Sequence, residues 1–284
     1  MTDPHAGDLA FAIDLARRAG GLLSASYEKV VQVDRKSRRD VVTEVDYQSE
    51  ALVIEMIRER FPEDAILAEE SGHHAGGAGV GGAADGPARR AKAARRWVID
   101  PLDGTVNYAN GIPYFCVSIG LVEEGRPVVG VVLDPLREDC YTATAAGPAQ
   151  LNGRTVTASD KGELGDFVVS LAIIGRGGIA RERRVAREIR IPRRMGSAAL
   201  ALASVASGRF DAFIGNGGLS LWDIAAAGLI AERAGATVTN LRGGPWWDER
   251  RKGPSLSIVA APAPHHDALL ALLRAARTTV ESRR

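Results

Sequence analysis

Two aspartates followed by a glycine–threonine pair form the most chemically suggestive segment of the sequence. Asp100 and Asp103 stand at the end of an apolar run, and Gly104-Thr105 follows at once. If a helix begins there, its first N–H groups point outward and can bind a phosphate. The two carboxylates would repel that phosphate unless divalent cations lay between them. The spacing therefore predicts a cation-assisted phosphate site.

Three further acids could complete such a site. Glu69 and Glu70 end a short apolar run, and Asp223 lies in the first turn of a predicted helix. Mg²⁺ and Mn²⁺ prefer oxygen ligands, whereas zinc favours cysteine and histidine. The five histidines, at positions 5, 73, 74, 265 and 266, do not cluster with cysteine. A Mg²⁺ or Mn²⁺ site is therefore favoured over a zinc site.

Each acid also has a simpler interpretation when it is taken alone. Glu69-Glu70 fits a solvated strand end. Asp223 fits a helix cap beside Ser220, and Asp46 behind Thr43 fits a first-turn acid that complements a helix dipole. The combination of the acids, rather than any one of them, favours the metal site.

Helices and strands must position these acids. Helical spacing of apolar residues covers 9–27 and 44–61, and strand-like runs cover 65–68 and 97–99, directly before the acids. The order predicts an α+β fold, a layered sandwich of helices and sheets, antiparallel in the first half and mixed in the second. Further strands are predicted at 30–33, 115–122, 128–133, 139–144, 167–171, 191–193, 210–214, 237–239 and 257–260, and further helices at 180–189, 197–207, 221–234 and 264–277.

Composition and charge exclude several classes of protein. Of the 284 residues, 45% are hydrophobic and 25% are charged, which is typical of globular rather than disordered or fibrous chains. The formal net charge of +1 gives no overall attraction to nucleic acid or membrane. No membrane helix or signal peptide is predicted. Cys116 and Cys140 form neither a disulfide framework nor a metal-spaced pair, so we expect a cytoplasmic protein.

Four motifs, in order and with matching spacing, resemble the inositol monophosphatase family of Mg²⁺-dependent, lithium-sensitive phosphatases. They are DVVTEVD at 40–46, AEES at 68–71, WVIDPLDGTVN at 97–107 and LWDIAAAGLI at 221–230, which continues to AGA at 234–236. The resemblance covers nearly the whole chain. It implies an αβαβα sandwich of the sugar-phosphatase type and a single domain over 1–284, with an α+β half to about residue 150 and an α/β half after it.

The resemblance also implies a set of metal ligands and catalytic residues. Two or three Mg²⁺ ions, with Mn²⁺ as an alternative, would assist direct attack of a metal-activated water on phosphorus. Glu69 and Thr105 would position and deprotonate this water, and Asp46 would orient Thr105. Lys36 either closes over the site or is solvated. The implied metal ligands are Glu69, Asp100, the Leu102 carbonyl, Asp103 and Asp223, with Asp100 bridging two ions.

The implied substrate is a small phosphorylated polyol or sugar, with inositol 1-phosphate as the default. Inositol-selective members carry an acid at the position of Asn216, so this chain departs from their pattern. Fructose 1,6-bisphosphate, histidinol phosphate and a nucleotide 3′- or 2′-phosphate therefore stay open. The residues expected to contact substrate are Asp103, Gly104, Thr105, Ala198, Asn216 and Asp223.

Two basic segments raise a hypothesis of a different class, an RNA- or transcription-machinery-binding protein. Residues 181–194 hold seven arginines, and a second basic cluster at 89–96 begins in the low-complexity segment 73–94 and extends just past it. A solvated helix face is the commoner meaning of such runs. Nucleic-acid binding is therefore not expected. The resemblance further implies a homodimer, and segment 72–96 either shapes access to the site or is an inert insertion.

Overall fold

Two large β-sheets, with helices between and outside them, form the framework in the computed structural model. The structure describes residues 3–29, 33–37, 40–76, 95–175, 177–250 and 256–281. Strands β1 (Val33–Ser37) and β2 (Asp40–Thr43) form a separate antiparallel ribbon. The helices are α1 (Ala6–Ser26), α2 (Glu44–Arg60), α3 (Thr105–Ala109), α4 (Gly178–Glu188), α5 (Ala198–Ala203), α6 (Leu221–Arg233) and α7 (Ala263–Glu281).

The first large sheet has eight strands in the order β10-β9-β8-β7-β6-β5-β3-β4. Its neighbouring strands are antiparallel except for β3 and β5, which run parallel and so bring their carboxyl ends to the same edge. The strands are β3 (Ala65–Ala68), β4 (Gly72–His74), β5 (Arg95–Asp103), β6 (Cys116–Glu123), β7 (Arg126–Asp134), β8 (Asp139–Thr144), β9 (Gln150–Leu151) and β10 (Arg154–Thr155).

The second sheet has five strands in the order β12-β11-β13-β15-β14 and is mixed. β11 runs parallel to both of its neighbours, and β15 runs antiparallel to both of its own. The strands are β11 (Val168–Ile173), β12 (Ile191–Arg193), β13 (Ala212–Asn216), β14 (Thr237–Thr239) and β15 (Ser257–Ala261).

The layers follow from three buried apolar clusters. α1 and α2 pack on one face of the first sheet, where Leu15 and Val131 share a cluster. α5 and α6 lie between the two sheets, in a cluster that includes Ala226 and Phe213. α4 and α7 cover the outer face of the second sheet around Phe167. The layered α+β sandwich predicted from the sequence is confirmed.

Glycine at one position lets α6 lie very close to the first sheet. A Cβ on Gly130 of β7 would lie 2.7 Å from the carbonyl oxygen of Ala226, a distance at which one of the two must move. Because the sheet presents no side chain there, the helix backbone can pack directly on the strand. This close packing sets the position of the α6 amino terminus, which carries Asp223.

Element boundaries differ from the sequence expectation in several places. The polar run after residue 33 forms β1 because it pairs with β2, and residues 30–32 lie outside the described part of the chain. β5 extends through Asp103, well beyond the predicted 97–99. Segment 73–94 opens with β4, which pairs with β3, and residues 77–94 lie outside the described part. None of the described helices is both long and apolar enough to cross a membrane.

Candidate metal centre

A bulge near the end of β5 turns two aspartates toward the same side. Asp100 pairs with Ser118 of β6 and Asp103 pairs with Cys116, so β5 holds one residue more than its partner between these points. Residues three apart on a regular strand face opposite sides of a sheet, and one extra residue reverses that alternation. The Leu102 N–H donates to Oδ1 of Asp100 over 3.1 Å and stabilises this irregular segment.

Asp223 joins the pair from α6. The helix begins with a capping box, in which the Ser220 N–H donates to Oδ2 of Asp223 over 2.6 Å. The Ser118 hydroxyl donates to the Trp222 carbonyl over 3.1 Å and ties the start of the helix to β6. Ligand atoms of Asp100, Asp103 and Asp223 all lie within 4.8 Å of one another. The capping interpretation of Asp223 is therefore correct, and it coexists with a position among the other acids.

Glu69 completes the cluster and makes it strongly negative. Burial and the neighbouring carboxylates, Glu69 first among them, raise the pKa of Asp100 well above its ordinary value. Burial, Asp103 and Glu69 raise the pKa of Asp223, although the Ser220 N–H opposes the shift. Carboxylates in this position are stable as anions only beside a compensating cation. The donor set contains oxygen atoms only, so these residues fit Mg²⁺ or Mn²⁺.

Asp103 is held by a segment from the second half of the chain. Its Oδ2 accepts hydrogen bonds from the Ser197 hydroxyl and from the Ala199 N–H, both over 2.6 Å. Burial raises the pKa of Asp103, and these donors oppose the shift because they favour the anion. Since Oδ2 is engaged with the start of α5, Oδ1 would be the oxygen left to hold a cation.

Thr105 and Asp46 meet beside the Leu102 carbonyl, just after the end of β5. The Thr105 hydroxyl lies 3.0 Å from Oδ1 of Asp46 and 3.0 Å from the Leu102 carbonyl oxygen, and it can donate to either. Oδ2 of Asp46 accepts from the Thr43 N–H over 2.8 Å, in a capping box that begins α2. The structure thus brings the expected pair together, and their catalytic roles stay predictions.

The predicted substrate residues lie at the ends of three elements. Gly104 precedes α3 at φ +102°, a backbone conformation that favours glycine, and a Cβ there would lie only 3.2 Å from the Ser197 Cβ. Ala198 is the first residue of α5. Asn216 ends β13 and is followed by two glycines at positive φ and then by the Ser220 cap of α6. The side chain of Lys36 lies outside the described part of the chain.

Two polar residues of α2 contact the site and were missed from the sequence. The Ser49 hydroxyl donates to the Pro101 carbonyl over 3.3 Å. Glu50 accepts the N–H groups of Glu70 and Ser71, which follow Glu69. The sequence signal that could have found them is their position: they are polar residues on the side of an amphipathic helix that faces the protein interior. Ser197 occupies the cap position of α5, which the sequence could indicate, but its hydroxyl donates to Asp103 and not to the helix.

Comparisons with known proteins find relatives and solved structures that cover most of this chain. An Escherichia coli K12 protein named Nus factor SuhB is 37% identical over 252 residues, covering 83% of this chain and 86% of the relative. The structure resembles an extragenic suppressor protein suhB of Bartonella henselae, with TM-score 0.84 and 30% identity over 95% of this chain and 99% of that one. It also resembles a Thermotoga maritima IMPase, with TM-score 0.83 and 29% identity over 96% and 99% of the two chains.

The family assignment extends over almost the entire sequence. Residues 7–279 match the inositol monophosphatase family, a range that includes every acid of the candidate metal centre. The chain belongs to the inositol monophosphatase family.

Proposed function

We propose that this protein is a Mg²⁺-dependent phosphatase that hydrolyses a small phosphate monoester, with inositol 1-phosphate as the first substrate to test. The observation that carries the proposal is the meeting of Asp100, Asp103 and Asp223 within 4.8 Å, beside Glu69. Buried carboxylates at this density need a divalent cation, and family membership supports phosphate ester chemistry.

The proposed metal ligands come from three parts of the fold: the connection after β3, the end of β5 and the start of α6. Glu69, Asp100 and the Leu102 carbonyl would hold one ion, and Asp100, Asp103 and Asp223 a second, with Glu69 contributing to a third through water. When bound, the ions would lower the pKa of a coordinated water and neutralise charge that develops on the phosphoryl oxygens. The bulge in β5 supports this assignment because it orients Asp100 and Asp103 toward the same side.

The remaining residues have roles that follow from their hydrogen bonds. The Thr105 hydroxyl donates a hydrogen bond to Asp46 or to the Leu102 carbonyl, so its oxygen can accept a hydrogen bond from the attacking water and align it. Glu69 would take up that water's proton. The N–H groups of Gly104 and Thr105, at the start of α3, would bind phosphate oxygens.

Substrate selection is proposed to depend on the turn between β13 and α6. Asn216 and Asp223 lie on either side of this turn, and Ala198 opens α5 beside the Ser197–Asp103 hydrogen bond. Asn216 can bind a hydroxyl group without the strengthening that a charged partner gives. Fructose 1,6-bisphosphate, histidinol phosphate and nucleotide 3′- or 2′-phosphates therefore stay as alternative substrates.

A panel of esters tests the proposal. Phosphate release would be measured with and without Mg²⁺ from inositol 1-phosphate, fructose 1,6-bisphosphate, histidinol phosphate, NADP and adenosine 3′,5′-bisphosphate, for the wild type and for Asp100→Asn. We expect Mg²⁺-dependent turnover that Asp100→Asn abolishes. If the folded, metal-loaded protein hydrolyses none of these esters, the proposal is wrong for this class of substrate.

A second candidate function is binding to RNA or to the transcription machinery. Relatives that are 37% identical are named Nus factors. In the structure, Arg183, Arg187 and Arg193 are exposed on α4 and β12, whereas Arg190 and Arg194 pair with Asp166 and Glu182. Such a basic surface supports contact with a phosphate backbone, and binding would weaken steeply with added salt. RNA affinity, measured between 50 and 200 mM salt for the wild type and for Arg183→Ala/Arg187→Ala, tests this candidate.

The single domain, the homodimer and the cytoplasmic location stay predictions.

A further inference from the structure

Glu50 is a buried carboxylate that belongs neither to the proposed metal ligands nor to the proposed catalytic residues. It is only 3% exposed and lies on α2, one turn after Asp46. Its Oε2 accepts the Glu70 N–H and its Oε1 accepts the Ser71 N–H, each over 2.8 Å. Hydrogen bonds to an ionised acceptor are roughly twice as strong as neutral ones. Glu50 is therefore firmly bound to the backbone of one short segment.

That segment is the loop that carries Glu69. Ala68 of β3 pairs with Gly72 of β4, so Glu69, Glu70 and Ser71 are the whole connection between the strands. Two consecutive N–H groups bound to one carboxylate fix the two peptide planes that follow Glu69. Because the charge of Glu69 acts directly on Asp100, the orientation of this loop decides where the Glu69 carboxylate lies relative to the metal centre.

Glu50 shares its helix face with two other residues that contact the site. Asp46, Ser49 and Glu50 occupy positions i, i+3 and i+4, which lie together on a helix surface. Asp46 contacts Thr105, and Ser49 contacts the Pro101 carbonyl in the irregular part of β5. One face of α2 thus holds the Glu69 loop, the β5 bulge and the start of α3 at fixed separations.

We propose that Glu50 is a positioning residue for the metal centre, which holds Glu69 against Asp100 through the backbone of the loop. This inference rests on the proposed function, since it assigns Glu50 to the same cation site. Glu50→Gln keeps the length of the side chain but replaces one acceptor with an NH₂ group that faces a backbone N–H. The loop then loses one of its two hydrogen bonds and gains a repulsive contact.

Direct cation binding is the readout, because a role limited to fold stability would not change it. Mn²⁺ alone would be titrated into the full chain, and free Mn²⁺ measured by electron paramagnetic resonance, for the wild type, Glu50→Gln and Glu55→Gln. Glu55 lies on the same helix and is exposed, so it is a matched control. Loss of a residue that orients a ligand typically weakens metal binding by about 10- to 100-fold. We expect that loss for Glu50→Gln and none for Glu55→Gln.

A double-variant cycle tests whether Glu50 acts through Glu69. If it does, Glu50→Gln/Glu69→Gln binds Mn²⁺ no more weakly than Glu69→Gln alone. Equal affinity of Glu50→Gln and wild type, or fully additive losses in the double variant, would overturn the positioning role. A wild-type protein that binds no Mn²⁺ would instead overturn the proposed function itself. Circular dichroism would establish folding, and Glu50→Asp, which keeps both acceptors on a shorter stem, would be judged by the same criteria if Glu50→Gln does not fold.

Discussion

The Ser197 hydroxyl donates a 2.6 Å hydrogen bond to Oδ2 of Asp103, joining residues that are 94 positions apart. Ser197 precedes α5, in the layer between the two sheets, and Asp103 ends β5 of the first sheet. The bond therefore couples a proposed metal ligand to the central helical layer. It also engages Oδ2 of Asp103, so that Oδ1 would be the oxygen left to hold a cation.

Ser197→Ala removes one of the two short hydrogen bonds to Oδ2 of Asp103, which also accepts a longer contact from the Cys116 thiol. A hydrogen bond to a charged group contributes about 1.5–3 kcal/mol, so we expect a fall of that order in the free energy of unfolding, measured with denaturant. We also expect the Mn²⁺ dissociation constant to rise by about tenfold. Ser204→Ala is the control, because Ser204, which is also buried, follows α5 directly and donates to the Leu200 carbonyl of that helix over 2.7 Å. Unchanged Mn²⁺ affinity in Ser197→Ala would contradict the coupling.

The buried acids predict an unusual pH dependence of stability without metal. The folded protein raises the pKa of Asp100 above its usual 3.8, so the folded state binds more protons than the unfolded state above that pH. The free energy of unfolding in EDTA must then fall as pH rises from about 4 through the raised pKa. Asp100→Asn removes the contribution of Asp100, and we expect a shallower fall and a more stable metal-free protein. Identical pH profiles for the two proteins would contradict the charge crowding.

Thr105→Ala tests the hydroxyl that contacts Asp46. The change removes the group proposed to align the attacking water, so we expect kcat to fall by about 10²-fold or more while Mn²⁺ affinity is kept. Thr105→Ser retains the hydroxyl and is the matched control, with kcat close to that of the wild type. If Thr105→Ala and Thr105→Ser were equally active on the same ester, the hydroxyl would have no part in the reaction.

Gly130→Ala tests the close packing of α6 on β7. The added Cβ would lie 2.7 Å from the Ala226 carbonyl oxygen, which forces the helix or the strand to move. Overpacking of this kind costs about 1–3 kcal/mol, seen as a lower denaturant midpoint. Gly162→Ala adds the same methyl where nothing lies within 4 Å and should change stability little. Because α6 carries Asp223, weaker Mn²⁺ binding should accompany the Gly130 change alone.

Asn216→Asp tests how the turn before α6 selects substrate. A hydrogen bond to a charged group is roughly twice as strong as a neutral one, so a carboxylate should bind a substrate hydroxyl about 1.4 kcal/mol more strongly than an amide does. We therefore expect kcat/KM for inositol 1-phosphate to rise by about tenfold. We expect little change for a phosphate ester whose alcohol carries no hydroxyl group besides the esterified one. A uniform change across both esters would show that Asn216 does not contact the alcohol.

The sequence alone predicted the parts of the site that are contiguous or that follow general rules of helix capping. Asp100 and Asp103 stand in one motif, and the sequence around Thr43 and Ser220 indicated a first-turn position for Asp46 and a capping position for Asp223. The layered fold followed from apolar periodicity and from the order of the elements. These features depend on neighbours within a few residues, where chemistry and spacing are visible directly.

Contacts between distant segments could not be predicted in this way. The Ser197–Asp103 bond and the contacts of Glu50 with the Glu69 loop depend on how α5 and α2 pack, which no local pattern specifies. The bulge in β5 was also missed, because its presence depends on the register of β6. A serine at a helix start predicted a cap and not a contact with the metal centre, but the Ser197 hydroxyl bonds to Asp103 instead of capping α5.

Three of the acids in and beside the metal centre also stabilise the starts of helices: Asp46 and Asp223 complete the capping boxes of α2 and α6, and Asp103 accepts the Ala199 N–H at the start of α5. Selection for folding alone would therefore preserve them, whatever became of hydrolysis. In a homologue that has abandoned catalysis for another task, we expect Glu69 to diverge first, because it lies in the connection between β3 and β4 and not at the start of a helix. Retention of Glu69, rather than of the aspartates, is thus the better marker of a working phosphatase.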